Sequence, residues 1–229
     1  MSPSASDNPA FDAITSRQSI RAFTDQPVDI GQIEELLRIA RWAPSGSNIQ
    51  PWKLHVLTGD ARDRLVGAVM QAFEIDPDCS DREYEYYPTD WYDPYITRRR
   101  ACGWGLYNAV GVQRGDSEGM KRQRARNYSF FDAPVGMIFT IEKRLNTGSW
   151  MDLGMFLQSL MIAARSVGLD TCAQAAFADY HAAIRTVLPI DDGEIVVCGL
   201  GLGYRDTTAP ENQWRTGRED VDLFTTWHS

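Results

Sequence analysis

Residues 151–168 are apolar on nearly every side, with Asp152, Gln158 and Arg165 as the main exceptions. A helix of that pattern has no face to give to water and must be covered on most sides. It therefore belongs at the centre of whatever the chain builds. A polypeptide of 229 residues has limited material with which to cover it, so the surface of a second subunit is an expected place for part of it. Its most apolar portion, residues 153–164, contains Gln158 and Ser159 and is too short to span a bilayer.

The flanking segments suggest both helices and strands. Residues 11–16 suit a short helix. Asp29 precedes Ile33, Leu36, Leu37 and Ala40, a helical spacing behind an N-capping carboxylate, and Pro44 and Gly46 end it. Residues 52–57 alternate as a strand does, and 60–73 return to helical spacing. Further strands are expected at 135–141 and 194–203, a helix at 180–188, and a last strand at 221–226. These elements do not follow a βαβ rhythm, which argues for an α+β fold over a doubly wound sheet. Residues 76–127 stand apart. They are rich in Tyr, Trp, Asp and Arg and are broken by Pro77, Pro88 and Pro94, with helical patches at 96–112 and 120–128. The whole of 1–229 reads as one domain, with 76–127 as a lid-like insertion over a site or else a surface excursion.

Composition excludes several functions. A net charge of −8 and a pI near 4.9 do not supply the cationic footprint of a nucleic-acid protein. Cys79, Cys102, Cys172 and Cys198 are widely spaced, and the only histidines are His55, His181 and His228. That set offers no metal-ligand spacing. Reduced thiols and the lack of an apolar stretch after Met1 point to a cytoplasmic protein without membrane association.

Two short motifs carry chemistry. In Ser16-Arg17-Gln18-Ser19-Ile20-Arg21, Arg17, Ser19 and Arg21 recur every second residue. On an extended segment they share one face, and two guanidinium forks with a hydroxyl suit a phosphate. A solvated basic stretch has the same composition. The second motif is Ala43-Pro44-Ser45-Gly46-Ser47-Asn48-Ile49-Gln50-Pro51-Trp52. Its turn-forming residues place Ser45, Asn48 and Gln50 beside an aromatic, as a loop meeting the polar edge of a ring would, or as an ordinary helix-to-strand connection. Gly199, Gly201 and Gly203 lack dinucleotide-binding spacing. Arg98-Arg99-Arg100 reads as a solvated face or, alternatively, a grip on an NADPH phosphate.

The order and spacing of these motifs resemble the nitroreductase family of FMN enzymes. The likeness continues through Trp150-Met151-Asp152-Leu153-Gly154, residues 168–176, residues 199–204 and Arg215-Thr216-Gly217-Arg218. Residues 168–176 look most similar to a branch that includes 4-nitrobenzoate reductases. The resemblance implies an α+β nitroreductase-like fold, an interlocked homodimer with a central, mostly antiparallel sheet flanked by helices and two FMN sites at the subunit interface. It implies that Arg17, Gln18, Ser19, Arg215 and Arg218 hold the FMN phosphate. Arg21 would lie near the flavin N1/O2 edge, and Pro44, Ser45 and Asn48 would reach the flavin across the interface. Gln174, Ala175 and Ala176 would present backbone groups near N5 and O4, with Arg126 or Asn127 near the pyrimidine edge. Many members carry Pro-x-Glu-Gly where this chain has Ala173-Gln174-Ala175-Ala176.

On that reading NADPH or NADH reduces FMN, and a small nitroaromatic or quinone acceptor takes its place in ping-pong order. Flavin N5 carries the hydride, and no side chain acts as catalyst. Tyr84, Tyr86, Tyr87, Trp91, Tyr92 and Trp104 would stack on the acceptor or on one another. A dehalogenating or flavin-cleaving enzyme of the same fold, or a non-catalytic FMN carrier, has the same sequence features.

Overall fold

The computed structural model describes residues 8–228. The chain begins with α1 (Pro9–Ser16) and α2 (Ile30–Ala40), followed by β1 (Lys53–Thr58) and α3 (Gly59–Ile75). The insertion contributes α4 (Tyr95–Ala109) and α5 (Ser117–Ala125). Then come β2 (Val135–Glu142), α6 (Thr147–Ser166), β3 (Asp170–Gln174), α7 (His181–Val187), β4 (Glu194–Gly203) and α8 (Pro210–Gln213). The four strands form one antiparallel sheet in the order β1-β2-β4-β3.

The central strand explains the layering. All of β2 except Glu142 is buried, so both of its faces are covered. Val135, Met137, Phe139 and Ile141 pack on one side with Ile33 and Leu36 of α2 and Leu153, Phe156 and Leu160 of α6. Ile138 lies on the other side, in a cluster with Leu65, Val69 and Phe73 of α3, Phe130, Phe177 and Ile184. Alternation with period two thus feeds two cores from one strand. Removing a fully buried phenylalanine such as Phe139 from so tight a layer costs about 3–5 kcal/mol. The glycines of β4 serve this packing. A Cβ at Gly201 would lie 2.8 Å from the Phe130 carbonyl oxygen and one at Gly203 2.6 Å from Pro134 Cδ, while one at Gly199 would enter the Phe177 ring.

Several expectations need correction. Residues 221–226 do not form a strand; Val221–Leu223 make one turn of 3-10 helix with exposed side chains. The sequence reading also passed over β3, whose Asp-Thr-Cys-Ala-Gln run shows no apolar alternation. The helical patch expected at 120–128 is split: α5 ends at Ala125, and Arg126–Asp132 turn as 3-10 helix. Within α6 the pattern is the reverse of hydropathy at two neighbours. Asp152 is buried and accepts the Gly46 N–H at 3.2 Å on both carboxylate oxygens, whereas Met151 is 65% exposed. One flank of this apolar helix is therefore open in a single subunit. Among the described residues, no helix is long and apolar enough to cross a membrane.

Candidate functional site

The edge strand β3 organises the site. Residues 19 and 20 run alongside it, joined by a parallel bridge from Ser19 to Thr171 and by the Ile20 N–H donating to the Thr171 carbonyl at 3.1 Å. This pairing keeps residues 17–21 extended, as their spacing predicted, and Arg17, Gln18, Ser19 and Arg21 all line one cavity of about 130 Å³.

The opposite wall comes from almost two hundred residues away. Trp214, Arg215, Thr216 and Arg218 follow α8, and Cys102 is contributed by α4. Asn212, only 6% exposed, fastens the two walls together. Its side-chain oxygen accepts the Arg21 N–H at 2.8 Å, and its amide donates to the carbonyls of Ala22 and Asp206, each at 2.8 Å. Its own carbonyl accepts from Gln18 Nε2 at 2.9 Å. Sequence reasoning missed Asn212, because nothing in the residues around it marks a partner 190 positions away. Beneath the wall, Trp214 packs where a side chain at Gly105 would have to be. Outward, the cavity opens into a groove of about 530 Å³ that adds Arg98, Ala101 and Glu219. Arg98 is paired there with Glu219 at 2.9 Å.

Electrostatics single this cavity out. Among the described residues, four arginines and no carboxylate line it. Among the described residues, the hydrogen bonds of Arg21, Arg215 and Arg218 go to uncharged groups: Ser19 O, Thr15 O, and residues 216 and 217. Burial, then Arg218, then Arg215 pull the Arg17 pKa below its ordinary value. Such a cluster is held together against its own repulsion, and an anion relieves it. The neighbouring Cys172 thiol is pushed up to about 11 by burial, in spite of Arg21, Arg17 and a hydrogen bond with Ser19.

A second cavity, of about 220 Å³, lies at the other end of β3. Ala173, Gln174 and Ala175 form its floor, and Leu153, Gly154 and Leu157 of α6 one side. Trp150, Val197 and Cys198 complete the core-side lining, and Tyr84 and Tyr86 come over from the insertion. Gln174 is 3% exposed. Its Nε2 donates to the Asn127 carbonyl at 2.6 Å, while its Oε1 is buried without a partner. Asn127 thus meets the site through its backbone, and Arg126 is turned to Glu211 and Asp132.

Three consecutive residues hold the aromatic wall. Arg82 donates twice to Asp179, at 2.7 and 2.6 Å. Glu83 pairs with Lys143 at 2.9 Å and Arg185 at 3.0 Å, and His181 lies 3.6 Å from it. Tyr84 donates its hydroxyl to the Val197 carbonyl at 2.6 Å and sets its ring 4.7 Å from Trp150. Of the six aromatics expected over an acceptor, only Tyr84 and Tyr86 reach the cavity. Tyr87 and Trp91 pack together beneath Arg99, Tyr92 pairs with Tyr95, and Trp104 pairs with Tyr107 under Arg114.

Pro44, Ser45 and Asn48 line neither cavity. Their loop is exposed and tied to the first turns of α6 through Gly46 and Asp152. Ser47, Asn48 and Gln50 all have left-handed backbone, with φ of 51°, 59° and 49°. Three such non-glycine residues in so short a stretch carry strain of the kind that gathers at ligand-facing loops.

The edge strand thus has an arginine-lined cavity beside one end and an aromatic cavity without charged side chains at the other, a cation cluster that suits a phosphorylated ligand next to an apolar chamber. The model of the nitroreductase family matches residues 14–204, and the chain belongs to that family. It is 40% identical over 216 residues to a nitrobenzene nitroreductase of Ectopseudomonas oleovorans, covering 94% of this chain and 95% of the relative. It is 41% identical to a 4-nitrobenzoate reductase of Pseudomonas putida, covering 94% of each. The crystal structure of the FMN and NADPH-dependent nitroreductase NfnB from Sphigopyxis sp. strain HMH superposes with a TM-score of 0.93 at 36% identity, covering 96% of this chain and 99% of that one.

Proposed function

We propose that this protein is an FMN-dependent nitroreductase that uses NAD(P)H to reduce small nitroaromatic compounds. The observation that carries the reading is the arginine cavity. Arg17, Arg215 and Arg218 crowd one another without a carboxylate, and a phosphomonoester is the ligand that supplies the missing charge. The donor set fits FMN: guanidinium forks and the Ser19 hydroxyl for the phosphate, with Arg21 next along the same segment.

Bound FMN supplies the two-electron relay between nicotinamide and acceptor. The chain supplies position and environment. Arg17, Ser19, Arg215 and Arg218, with Gln18 beside them, hold the phosphate. Arg21 favours negative charge on the ring system. Gln174 stiffens the end of β3, and the backbone of Ala175 and Ala176 would offer hydrogen-bonding groups to the ring. Tyr84, Tyr86 and Trp150 keep water from the acceptor and offer it flat faces.

The working unit in this reading is a homodimer. The open flank of α6, with Met151 and Met155, and Trp42 at 81% exposure are apolar surface that a second subunit covers. The strained loop bearing Pro44, Ser45 and Asn48 would then serve the partner's flavin. In this reading the chain is a single FMN-binding domain that includes Arg215 and Arg218, with 76–127 as the insertion over its acceptor cavity.

The test is the absorption spectrum of the purified protein with added FMN, before and after NADPH without oxygen. The expected result is bound yellow flavin that NADPH bleaches and nitrobenzene restores. A folded protein that rejects micromolar FMN overturns the proposal.

A further inference from the structure

We infer that the aromatic cavity selects uncharged nitroarenes and disfavours acceptors that carry a carboxylate. The inference rests on the nitroreductase reading and names the substrate class of the same site. Relatives at equal identity act on both kinds of compound by name, nitrobenzene in one and 4-nitrobenzoate in the other. Family membership therefore leaves the choice open, and the lining decides it.

Among the described residues, none that lines this cavity is ionised at neutral pH. The cations near its wall are already paired. Arg82 is engaged by both oxygens of Asp179, and Lys143 and Arg185 are both engaged by Glu83. A carboxylate entering here gives up water and meets no unpaired cation among the described lining residues, a loss that hydrogen bonds to neutral groups restore only in part. A nitro group has no net charge, and its ring can lie against Tyr84 and Trp150.

The cavity's own titratable groups experience the same environment. Burial, the largest cause in each case, pushes up the hydroxyls of Tyr84 and Tyr86 and raises the Cys198 thiol to about 12. All three mark places where negative charge is disfavoured, on two different walls. The arginine cavity offers no refuge for a carboxylate acceptor, because the cofactor phosphate would engage Arg17, Arg215 and Arg218 and its ring system Arg21.

The experiment uses the FMN-loaded protein and pairs of equal shape and different charge. Dissociation constants of benzamide and benzoate are read from tryptophan fluorescence. Then kcat/KM is measured with methyl 4-nitrobenzoate and 4-nitrobenzoate under NADPH. The expected result is at least a tenfold preference for the neutral member in both measurements from pH 7 to 9. Tyr86→Arg, which adds a cation at the rim, is expected to shrink both ratios. Benzoate binding as tightly as benzamide overturns the inference, whatever the turnover. A protein that prefers benzamide but reduces neither nitro compound keeps the preference and loses the nitroreductase reading.

Discussion

The two cavities at the ends of β3 treat charge in opposite ways. At one end Arg17, Arg21, Arg215 and Arg218 gather without a carboxylate. At the other, Arg82, Lys143 and Arg185 stand just behind the wall, Arg82 paired with Asp179 and the other two sharing Glu83. Both regions are rich in cations, so the difference lies in which cations are given partners. An unpartnered cluster is a standing demand for an anion, whereas a paired one is a structural clasp. With a net charge of −8, the chain has carboxylates to spare, and their exclusion from the first cavity is what makes it a site.

The largest expected effect tests the demand directly. Arg17→Ala should weaken FMN binding by about ten- to a hundredfold, the loss of one charge-assisted phosphate contact of about 1.5–3 kcal/mol, as measured by fluorescence titration. The melting temperature of the apoprotein should not fall, because the substitution also removes like-charge crowding. A destabilised apoprotein with unchanged FMN affinity would make Arg17 a clasp like Arg82.

The converse substitution comes next. Arg82→Ala leaves Asp179 without its partner at a largely buried position, which should cost about 1–3 kcal/mol of stability. It should also raise KM for nitroarenes several-fold with little change in FMN affinity, as read from steady-state kinetics and thermal melts. Equal loss of acceptor and FMN binding would merge the two regions into one.

Acidity should separate them as well. The second ionisation of a phosphate lies near pH 6, so FMN affinity should already fall between pH 7 and pH 5. Burial raises the Glu83 carboxyl, but hydrogen bonds from Lys143 and Arg185 outweigh it and hold its pKa below the ordinary 4.5. A carboxyl with a depressed pKa contributes stability that is whole above 4.5 and is lost as pH falls through the lowered value. The aromatic wall should therefore hold until below about pH 4.5, and acceptor KM at pH 5 should match that at pH 7 once FMN is saturating. The smallest expected effect concerns Arg21. If it contributes about 1–2 kcal/mol to negative charge on reduced FMN, Arg21→Ala lowers the potential by about 20–40 mV, measurable by dye equilibration on fully loaded protein.

Much of this was legible in local pattern. The every-second-residue spacing of Arg17, Ser19 and Arg21 gave a shared face, because extended backbone alternates wherever it occurs, and the pairing with Thr171 keeps it extended. Asp29 was readable as a cap, since its partners Gly31 and Gln32 lie within three residues. The edge strand β3 was not, because its faces are set by Asp170 between Arg165 and Arg205 and by Cys172 in the core, and its hydropathy does not alternate. Nor could composition say that Tyr84 reaches the cavity while Trp104 does not, as both sit in an aromatic insertion.

By itself, then, the polypeptide's order of residues determined most of the helices, three of the four strands and the shared face of Arg17, Ser19 and Arg21, all of which arise from neighbours along the chain; Arg215 and Arg218 were legible only through the family resemblance. Only the tertiary structure decided that Asn212 would fasten the Arg17–Arg21 segment to the one after α8, which arginines would lie apart from carboxylates among the described residues, and which tyrosines would line the aromatic cavity. Those outcomes depend on contacts between residues far apart in sequence, and periodicity carries no information about such partners.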